Sequence, residues 1–544
     1  MPAIPLVTVN MSEEDEDLRL VVNPDALDII GEVDEHLAVV CVAGLYRTGK
    51  SFILNKLANQ TGCFSVGSTI EPCTHGIWMK LLDSDEIDDR FARLLPRGTR
   101  VLLLDTEGLG SYARSETFDV QLFSLSVLLS SLFIYNSTGS IDEAALDKLS
   151  LVVELTKHIR IQTDEDVQDA RELAAFSPAF LWVVRDFSLK LHMDGHDISA
   201  RQYLDKALLP IRGDVEQVRT KNLIRSSITA FFQERECKTL VRPVSDEKLL
   251  QKLDTLPRKD FRKEFIEQLD DFTTTVFKKT RVKRLFGEAV NGRMLVNLVH
   301  NYVDAINAGS VPTIGTAWQN VVQIEGERAL KESLKLYKDR MNELFSVWKV
   351  MEAEELTVKH EQYLLDAGTL FRKATVAALS GTFEEQFRTG VSTMYAEYRK
   401  QNEMDSLTLC TNLINGLVAD VQLEDVTDFD ELSDVWTELA DEKYHLEAKG
   451  PAKYKVLCDV LKKRPLEHAR RLLERSIAKE AAKAERKIKE AQDQSAVDYE
   501  RLNVLYGTVD GEWKRSLAMY NDLKEENGSL IQTIARLSLA INDM

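Results

Sequence analysis

Two glycines, a lysine and a serine stand at the spacing of a phosphate-binding loop in the run Gly44–Ser51, GLYRTGKS. A strand-like apolar segment precedes this run and a helix-like segment follows it, which is the context that the motif requires. The glycines allow backbone amides to wrap phosphates, and Lys50 places a positive charge beside the β- and γ-phosphates. The run therefore predicts binding of a nucleoside triphosphate together with Mg²⁺.

A second set of residues suited to this chemistry follows an apolar run, at Asp105–Gly108, DTEG. A strand-end aspartate holds Mg²⁺ in many phosphate-binding proteins, and the amide of the following glycine can meet the γ-phosphate. Thr74 precedes a further apolar segment, and a switch threonine in such a position completes the metal shell when the γ-phosphate is present. We expect Ser51, Thr74 and Asp105 to be the metal ligands.

Arg185 and Asp186 close another apolar run, LWVV. Guanine presents two adjacent N–H donors that one carboxylate can accept, whereas adenine does not, so Asp186 is expected to select guanine. An Asn-Lys-x-Asp sequence, the usual guanine-binding box, is absent after the loop. The pair therefore favours a guanine nucleotide over the alternative of an ATPase.

The elements that must position these residues alternate along the first half of the chain. Apolar runs predict parallel strands that are buried on both faces, and helix-like segments such as Ser51–Asn59 and Ile141–Ile161 separate them. The run Val120–Tyr135 is too short for a membrane helix and predicts a buried helix that leads into a strand. This alternation predicts a doubly wound α/β sheet with its site at the carboxyl ends of the strands. The predicted strands are His36–Ala43, Arg100–Asp105, Leu132–Asn136, Ala179–Arg185 and Lys238–Arg242.

The second half has few prolines, and its apolar residues recur at helical spacing, which predicts long helices from about Val290 to the end. Glycines and prolines mark candidate breaks, among them Gly416, Gly450–Pro451 and Arg464–Pro465. An apolar seam from Trp513 to Ile541 advances by alternating steps of three and four residues, as in a coiled coil. Two alternatives remain for this last helix, which either packs back on its own chain or pairs with a second chain.

Composition limits the classes of function. The formal net charge of −19 argues against binding along a nucleic-acid backbone, which requires a basic face. The six cysteines form no zinc spacing, and they indicate a reduced, intracellular chain without structural disulfides. The sequence shows no signal peptide and no prenylation box. The basic run Lys278–Arg284 is interpreted as a solvated linker, with contact to phospholipid or an acidic surface as the alternative.

The motifs GLYRTGKS, GIWM, DTEGLG, VLLSSLFIYNS and VVRDFSL occur in an order and spacing that resemble the guanylate-binding proteins, which are dynamin-related large GTPases. The segment TLVRPV is similar to the strand before the guanine cap of that family. VNGRMLVNLVHNYVDAINAGSVP is similar to the entry into its helical domain. The resemblance covers about residues 15–350, and only the helical character fits beyond them.

This resemblance implies roles that spacing alone does not give. Arg47 matches the position that acts in cis as an arginine finger, and Glu107 matches a residue that helps to position the attacking water. It also implies dimerisation through the GTPase domains when GTP is bound, further cleavage of GDP to GMP in some members, and movement of the helical part. The family's usual switch run, Ser-His-Thr-Lys-Gly, is replaced here by residues 72–76, PCTHG, and Ser111 stands where an aspartate is common.

We predict a GTPase domain at residues 1–290, a helical middle domain at 291–470 and a C-terminal helix or coiled coil at 471–544, as an α/β P-loop domain followed by an elongated helical stalk. We expect a cytoplasmic, Mg²⁺-dependent GTPase that forms a GTP-dependent homodimer and binds no nucleic acid, with a coiled-coil or peripheral membrane partner. Because Pro72 restricts the switch backbone, the alternative is a scaffold gated by GTP with little turnover. A membrane-tethering GTPase such as an atlastin is disfavoured, because no spanning segment is evident.

The expected catalytic residues are Arg47, Lys50, Ser51, Thr74 and Glu107. The expected nucleotide contacts are Gly44, Tyr46, Arg47, Thr48, Gly49, Lys50, Ser51, Asp105, Gly108, Arg185 and Asp186.

Overall fold

The computed structural model describes residues 2–11, 18–66, 74–83, 86–109, 116–161, 174–374, 380–421, 425–492 and 498–542. The chain folds into two compact units. The first unit holds Met1–Gly326, and the second holds Glu327–Thr375 and Ser380–Met544. The acidic residues Glu13–Asp17 and the switch residues Pro72 and Cys73 lie outside the described residues.

The first unit is built on strands. The described strands are β1 (Ile4–Met11), β2 (Leu18–Val22), β3 (His36–Gly44), β4 (Ile77–Leu82), β5 (Thr99–Thr106), β6 (Leu132–Thr138), β7 (Ala179–Arg185), β8 (His192–Met193), β9 (His196–Asp197), β10 (Arg235–Leu240), β11 (Arg284–Leu285) and β12 (Glu288–Ala289).

One eight-stranded sheet has the order β10-β7-β6-β3-β5-β4-β1-β2. The five strands from β10 to β5 pair in parallel, and β4, β1 and β2 extend the sheet in antiparallel fashion. The mainly parallel sheet predicted from the apolar runs is therefore confirmed. The strands expected at 100–105, 132–136 and 238–242 are observed with ends displaced by one to three residues.

The continuous apolar run of β3 is explained by burial on both faces of the sheet. Val39 and Cys41 belong to one buried cluster, whereas Val40 and Val42 belong to the other. Alternate side chains of a strand point to opposite faces, so both registers of β3 must be apolar. Helices supply the other half of each cluster, which makes the unit a three-layer α/β structure.

Twelve helices are described for the first unit, the last of which continues into the second. They are α1 (Pro24–Gly31), α2 (Lys50–Leu57), α3 (Asp89–Ala92), α4 (Glu116–Leu129), α5 (Glu143–Asp147), α6 (Leu151–His158), α7 (Ala200–Ala207), α8 (Glu216–Phe231), α9 (Glu247–Leu250), α10 (Lys263–Lys279), α11 (Gly292–Asn307) and α12 (Ile314–Val347).

Helix α4 runs into β6, as the run Val120–Tyr135 predicted. Its buried serines satisfy their hydroxyls within the helix, since Ser124 Oγ donates to the Val120 carbonyl at 2.7 Å. Ser126 Oγ donates to the Leu122 carbonyl at 2.6 Å. The single helix expected at Ile141–Ile161 is instead two helices, α5 and α6, with a turn at residues 148–150.

The basic run Lys278–Arg284 is less solvated than expected. Lys279 and Arg281 both form ion pairs with Glu234, at 3.0 and 2.9 Å. Lys283 is only 3% exposed, and its Nζ donates to the Ser130 carbonyl at 3.1 Å. Burial lowers the pKa of Lys283 to about 7. The run is thus partly built into the first unit. The interpretation as a solvated linker was wrong for the buried Lys283, whereas Lys278 and Arg281 are exposed.

The second unit is helical throughout its described part. Its helices after α12 are α13 (Ala353–Ala374), α14 (Ser380–Ala419), α15 (Phe429–Thr437), α16 (His445–Glu447), α17 (Lys453–Leu461), α18 (Arg464–Gln492) and α19 (Asp498–Asn542), with a π-helical segment at Glu438–Tyr444.

The predicted breaks at Gly450–Pro451 and Arg464–Pro465 coincide with helix ends, whereas Gly416 lies inside α14. Helix α19 packs against α18 and α17. Within the unit's buried cluster, Tyr520, Leu523 and Ile534 make contacts from this helix. Part of the predicted seam therefore folds back on its own chain. No helix in the described ranges has the length and apolarity to cross a membrane.

Candidate nucleotide-binding site

The phosphate-binding loop leaves the end of β3 and enters α2. Gly44 occupies the last position of β3, where a β-carbon would stand 2.1 Å from the carbonyl oxygen of Asn136 on neighbouring β6. Only glycine permits this close approach of two backbones. The chain can therefore turn out of the sheet immediately beside β6.

The backbone of the loop is held in an uncommon conformation. Arg47 and Gly49 have left-handed φ values of 62° and 79°. Thr48 lies between them, and its Oγ1 donates to the Leu45 carbonyl at 2.8 Å. The amine of Lys50 donates to the same carbonyl at 3.1 Å, and burial lowers its pKa. The loop is thus closed by hydrogen bonds from its own side chains, and it places the buried amine of Lys50 at the centre of the site.

Three polar side chains converge beside the loop, as the sequence predicted for a metal site. Ser51 Oγ donates to Asp105 Oδ2 at 2.6 Å, and Thr74 Oγ1 donates to the same oxygen at 3.3 Å. Asp105 Oδ1 is buried without a hydrogen-bond partner in the described residues. Burial raises the pKa of Asp105, and the charge of Lys50 opposes this effect.

An orphaned carboxylate oxygen beside two hydroxyls is a donor set that suits a hard divalent cation. Mg²⁺ prefers oxygen ligands and retains several waters, so one or two protein oxygens are sufficient. Ser51, Thr74 and Asp105 therefore fit the ion that the sequence implies.

The turn after β5 joins the loop to the switch segment. Glu107 is 2% exposed, and its Oε2 accepts from the Gly76 amide at 2.9 Å, while its own amide donates to the Gly76 carbonyl at 2.8 Å. His75 Nδ1 lies 3.8 Å from Glu107 Oε1. At Gly108 a β-carbon would stand 2.4 Å from the α-carbon of Tyr46, so this glycine allows the turn to touch the loop.

Arg185 and Asp186 are adjacent in sequence but line different cavities. The guanidinium of Arg185 is buried 5.6 Å from the Phe52 ring centre, and Nη1 donates weakly to the Gly49 carbonyl at 3.4 Å. Asp186 is exposed, has a left-handed φ of 53° and lines a neighbouring cavity of about 720 Å³ with Arg242. The strand end thus directs one residue towards the loop and the other away from it.

Most of the predicted residues meet in one open cavity of about 220 Å³. Among the predicted residues it is lined by Tyr46, Arg47, Gly49, Lys50, Ser51, Thr74, Gly108 and Arg185. Gly44, Thr48, Asp105 and Glu107 do not line it, but Asp105 accepts hydrogen bonds from Ser51 and Thr74, which do. Asp186 lies in the second cavity. Sequence reasoning did not identify the further lining residues Phe52, Ser65, Val66, Thr106, Leu250 and Leu253.

Two of the missed lining segments are tied together by Asn55 on α2. Its side chain exchanges two hydrogen bonds with the backbone of Phe64, at 2.6 and 2.9 Å, and donates to Asp254 Oδ1 at 3.1 Å. Asp254 Oδ2 accepts from the Gly62 amide at 2.5 Å. The bonds to Asp254 join residues more than 190 positions apart in sequence, and no local pattern indicates them.

Comparison with known proteins agrees with this geometry. The family model described as "Guanylate-binding protein, N-terminal domain" matches residues 17–285, and the one described as "Guanylate-binding protein, C-terminal domain" matches residues 287–501. The chain belongs to the guanylate-binding protein family. Membership of the guanylate-binding proteins supports GTP binding and hydrolysis by this chain.

Individual guanylate-binding proteins are similar over most of the chain. Guanylate-binding protein 1 of Mus musculus is 35% identical over 426 residues, which are 76% of this chain and 70% of the relative. Guanylate-binding protein 1 of Homo sapiens is 34% identical over 413 residues, 75% of this chain and 68% of the relative. Guanylate-binding protein 4 of Homo sapiens is 36% identical over 379 residues, 67% of this chain and 58% of the relative.

Proposed function

We propose that this chain binds GTP with Mg²⁺ in the cavity of the first unit and hydrolyses it to GDP. The observation that carries the proposal is the convergence of Ser51 and Thr74 on the Asp105 carboxylate beside the buried amine of Lys50. A triphosphate would supply negative charge for the Lys50 amine, and its metal ion would supply positive charge for the Asp105 carboxylate. Family membership supports the same activity.

Each polar group has a role that follows from its position. Lys50 and the loop amides bind the β- and γ-phosphates, and Ser51, Thr74 and Asp105 would hold Mg²⁺. When bound there, the ion would supply positive charge to neutralise the phosphate oxygens. Arg47 lines the cavity and is exposed, so its guanidinium can reach charge that develops at the β–γ bridge. Glu107 orients the switch backbone, and through it the attacking water.

We assign guanine selection to Asp186, since a carboxylate accepts from both guanine donors. Its exposure in a cavity next to that of the loop supports a base bound beyond the phosphates. Dimerisation through the first unit, movement of the helices, cytoplasmic location and the domain limits 1–290, 291–470 and 471–544 remain proposals that rest on the family resemblance.

The first experiment is steady-state turnover of GTP with Mg²⁺, with chromatography that resolves GTP, GDP and GMP. We expect the native chain to consume GTP and Lys50→Ala to abolish consumption. Arg47→Ala should bind GTP but turn it over roughly 100-fold more slowly, since it removes one stabilising donor. Lys263→Ala, whose side chain is 91% exposed, is the control and should match the native chain.

Tight binding of GTP without consumption would reject hydrolysis and establish the alternative, a scaffold gated by GTP. Pro72 and Cys73, where the family usually has serine and histidine, are the observation that favours this alternative. Formation of GMP would show that the altered switch permits a second cleavage. Equal binding of ATP would reject the role assigned to Asp186.

A further inference from the structure

Asn136 is a buried polar residue at the base of the phosphate-binding loop to which neither motif nor proposed chemistry assigns a role. It is 0% exposed and lies near the end of β6, between β3 and β7 in the sheet. Its Nδ2 donates to the Thr48 carbonyl at 2.8 Å. This is a bond between the central strand and the middle of the loop.

The strand pattern explains why Asn136 faces the loop. Leu132 and Ile134 belong to the same buried cluster as Phe52 of α2, so alternate residues of β6 face that helix. Asn136 is the next residue in this series, and it lies where the apolar face ends and the loop begins. Ser137 points to the other face, where its Oγ accepts from Trp182 Nε1 at 2.8 Å.

The bond determines which way a peptide group of the loop faces. The described chain contains no cis peptide bond, and in a trans peptide the C=O and the following N–H point in opposite directions. A Thr48 carbonyl directed at Asn136 therefore turns the Gly49 N–H away from β6 and towards the open side of the loop. That side is the cavity that Gly49 and Lys50 line.

The flanking conformations show that this orientation needs support. Arg47 has a left-handed φ, which is unfavourable for a residue with a side chain unless its surroundings hold it. The hydrogen bond from the Asn136 side-chain amide to the Thr48 carbonyl supplies such support. If that side-chain amide were flipped, Asn136 Oδ1 would face the Thr48 carbonyl oxygen and repel it.

We infer that Asn136 is a positioning residue that sets the Gly49 amide for binding the β-phosphate of the nucleotide. The inference rests on the proposed function, because it concerns the same site. Loop amides of this type cradle the phosphates beyond the first, so the effect should be specific to nucleotides that carry a β-phosphate.

The test compares Asn136→Ala and Asn136→Thr with the matched control Ser137→Ala. Threonine suits a strand, but its hydroxyl is one bond closer to the backbone and cannot reach the loop carbonyl. We expect both Asn136 variants to bind GDP about tenfold more weakly, as for loss of one hydrogen bond to a charged group, with GMP affinity changed less than about twofold. Ser137→Ala should bind both nucleotides as the native chain does.

Hydrogen exchange in the nucleotide-free chain gives a readout that does not depend on binding. Both Asn136 variants should exchange faster in the peptide that covers residues 45–52, and Ser137→Ala should not. Equal losses of GMP and GDP affinity, or unchanged exchange in this peptide, would overturn the inference and leave Asn136 a packing residue. A native chain that binds no guanine nucleotide would overturn the proposed function, and the exchange result would still decide whether Asn136 holds the loop.

Discussion

Single residues of the site carry buried charge that the nucleotide-free fold compensates only in part. Asp105 is 1% exposed, its Oδ1 has no partner in the described chain, and burial raises its pKa. A buried carboxylate whose charge is only partly compensated destabilises a fold, and such groups are retained where a ligand uses them.

Replacing Asp105 with asparagine should therefore have opposite effects on stability and activity. We expect Asp105→Asn to raise the free energy of unfolding of the nucleotide-free chain by about 1 kcal/mol, because the buried charge is removed. GTP turnover should fall by roughly 100-fold with the loss of a metal ligand. Urea unfolding and phosphate release measure the two quantities, and a destabilised variant with normal turnover would contradict the prediction.

Lys283 makes a second prediction at this scale, through pH. Its folded pKa of about 7 lies below the ordinary value of 10.5, so between these values the unfolded chain binds more protons than the folded chain. The free energy of unfolding should therefore rise with pH from about 7 towards 10. The buried positive charge of Lys283 destabilises the folded chain most below pH 7.

Lys283→Met removes this group, so its stability should depend less on pH above neutrality than that of the native chain. Urea unfolding at about pH 6, 7.5 and 9 measures the slopes. Lys278→Met changes an exposed lysine of the same run and should retain the native slope. Parallel pH profiles for all three chains would show that Lys283 does not titrate as its burial indicates.

The residues of the loop could be predicted from sequence, but those that support it could not. The run Gly44–Ser51 is contiguous, and its chemistry depends on local backbone conformation, which glycine and spacing reveal. Asn136 reaches Thr48 across 88 positions of the chain, and Asn55 reaches Asp254 across 199. A pattern within a few residues contains no information about such pairs.

At the scale of elements, α2 joins the site to two other segments through Asn55. Asn55→Ala would leave the amide and carbonyl of Phe64 buried and unpaired, so we expect a loss of about 2 to 4 kcal/mol in the free energy of unfolding. GDP affinity should fall as well, because Val66 and Leu253 line the cavity on the joined segments. Urea unfolding and GDP titration test both effects.

Gln60→Ala is the control for Asn55, because it removes a half-buried amide just beyond the end of α2 that donates to the Glu86 carboxylate. This variant should lose no more than about 1 kcal/mol in its free energy of unfolding, and it should bind GDP as the native chain does. If Asn55→Ala and Gln60→Ala lost similar stability and GDP affinity, the proposal that Asn55 holds the two joined segments at the cavity would be rejected.

Periodicity predicted the buried elements better than the others. Four of the five parallel strands contain continuous apolar runs, whereas β10 (RECKTL) does not, and all five were expected. β1 (IPLVTVNM) and β2 (LRLVV) were not, because polar residues interrupt their apolar runs and this antiparallel edge is partly exposed. Ile141–Ile161 is two helices because residues 148–150 form a turn, although no glycine or proline marks it. Gly416 does not end α14, since a glycine inside a helix costs only about 1 kcal/mol.

At the scale of the whole molecule, the residues of the proposed site all lie in Met1–Gly326. Ligand that binds only the folded state stabilises it by about 2.7 kcal/mol at a hundred times Kd. We therefore expect GDP with Mg²⁺ to raise the unfolding temperature of the first unit. Differential scanning calorimetry should resolve this transition from that of the helical second unit, which should move less. Equal shifts of both transitions would contradict this prediction.

The wide spacing of the site along the chain has a consequence for synthesis of the protein. Gly44 is synthesised early. The loop gains its partner on β6 only after Asn136 has been added, and the last segment that lines the cavity is complete only after Asp254 has been added. At 5 to 20 residues per second, a ribosome needs roughly 10 to 40 s to pass from the first to the last of these positions. During that interval the apolar strand β3 has no complete sheet around it, so its surface is prone to aggregation and the unfinished site offers no stabilisation by nucleotide.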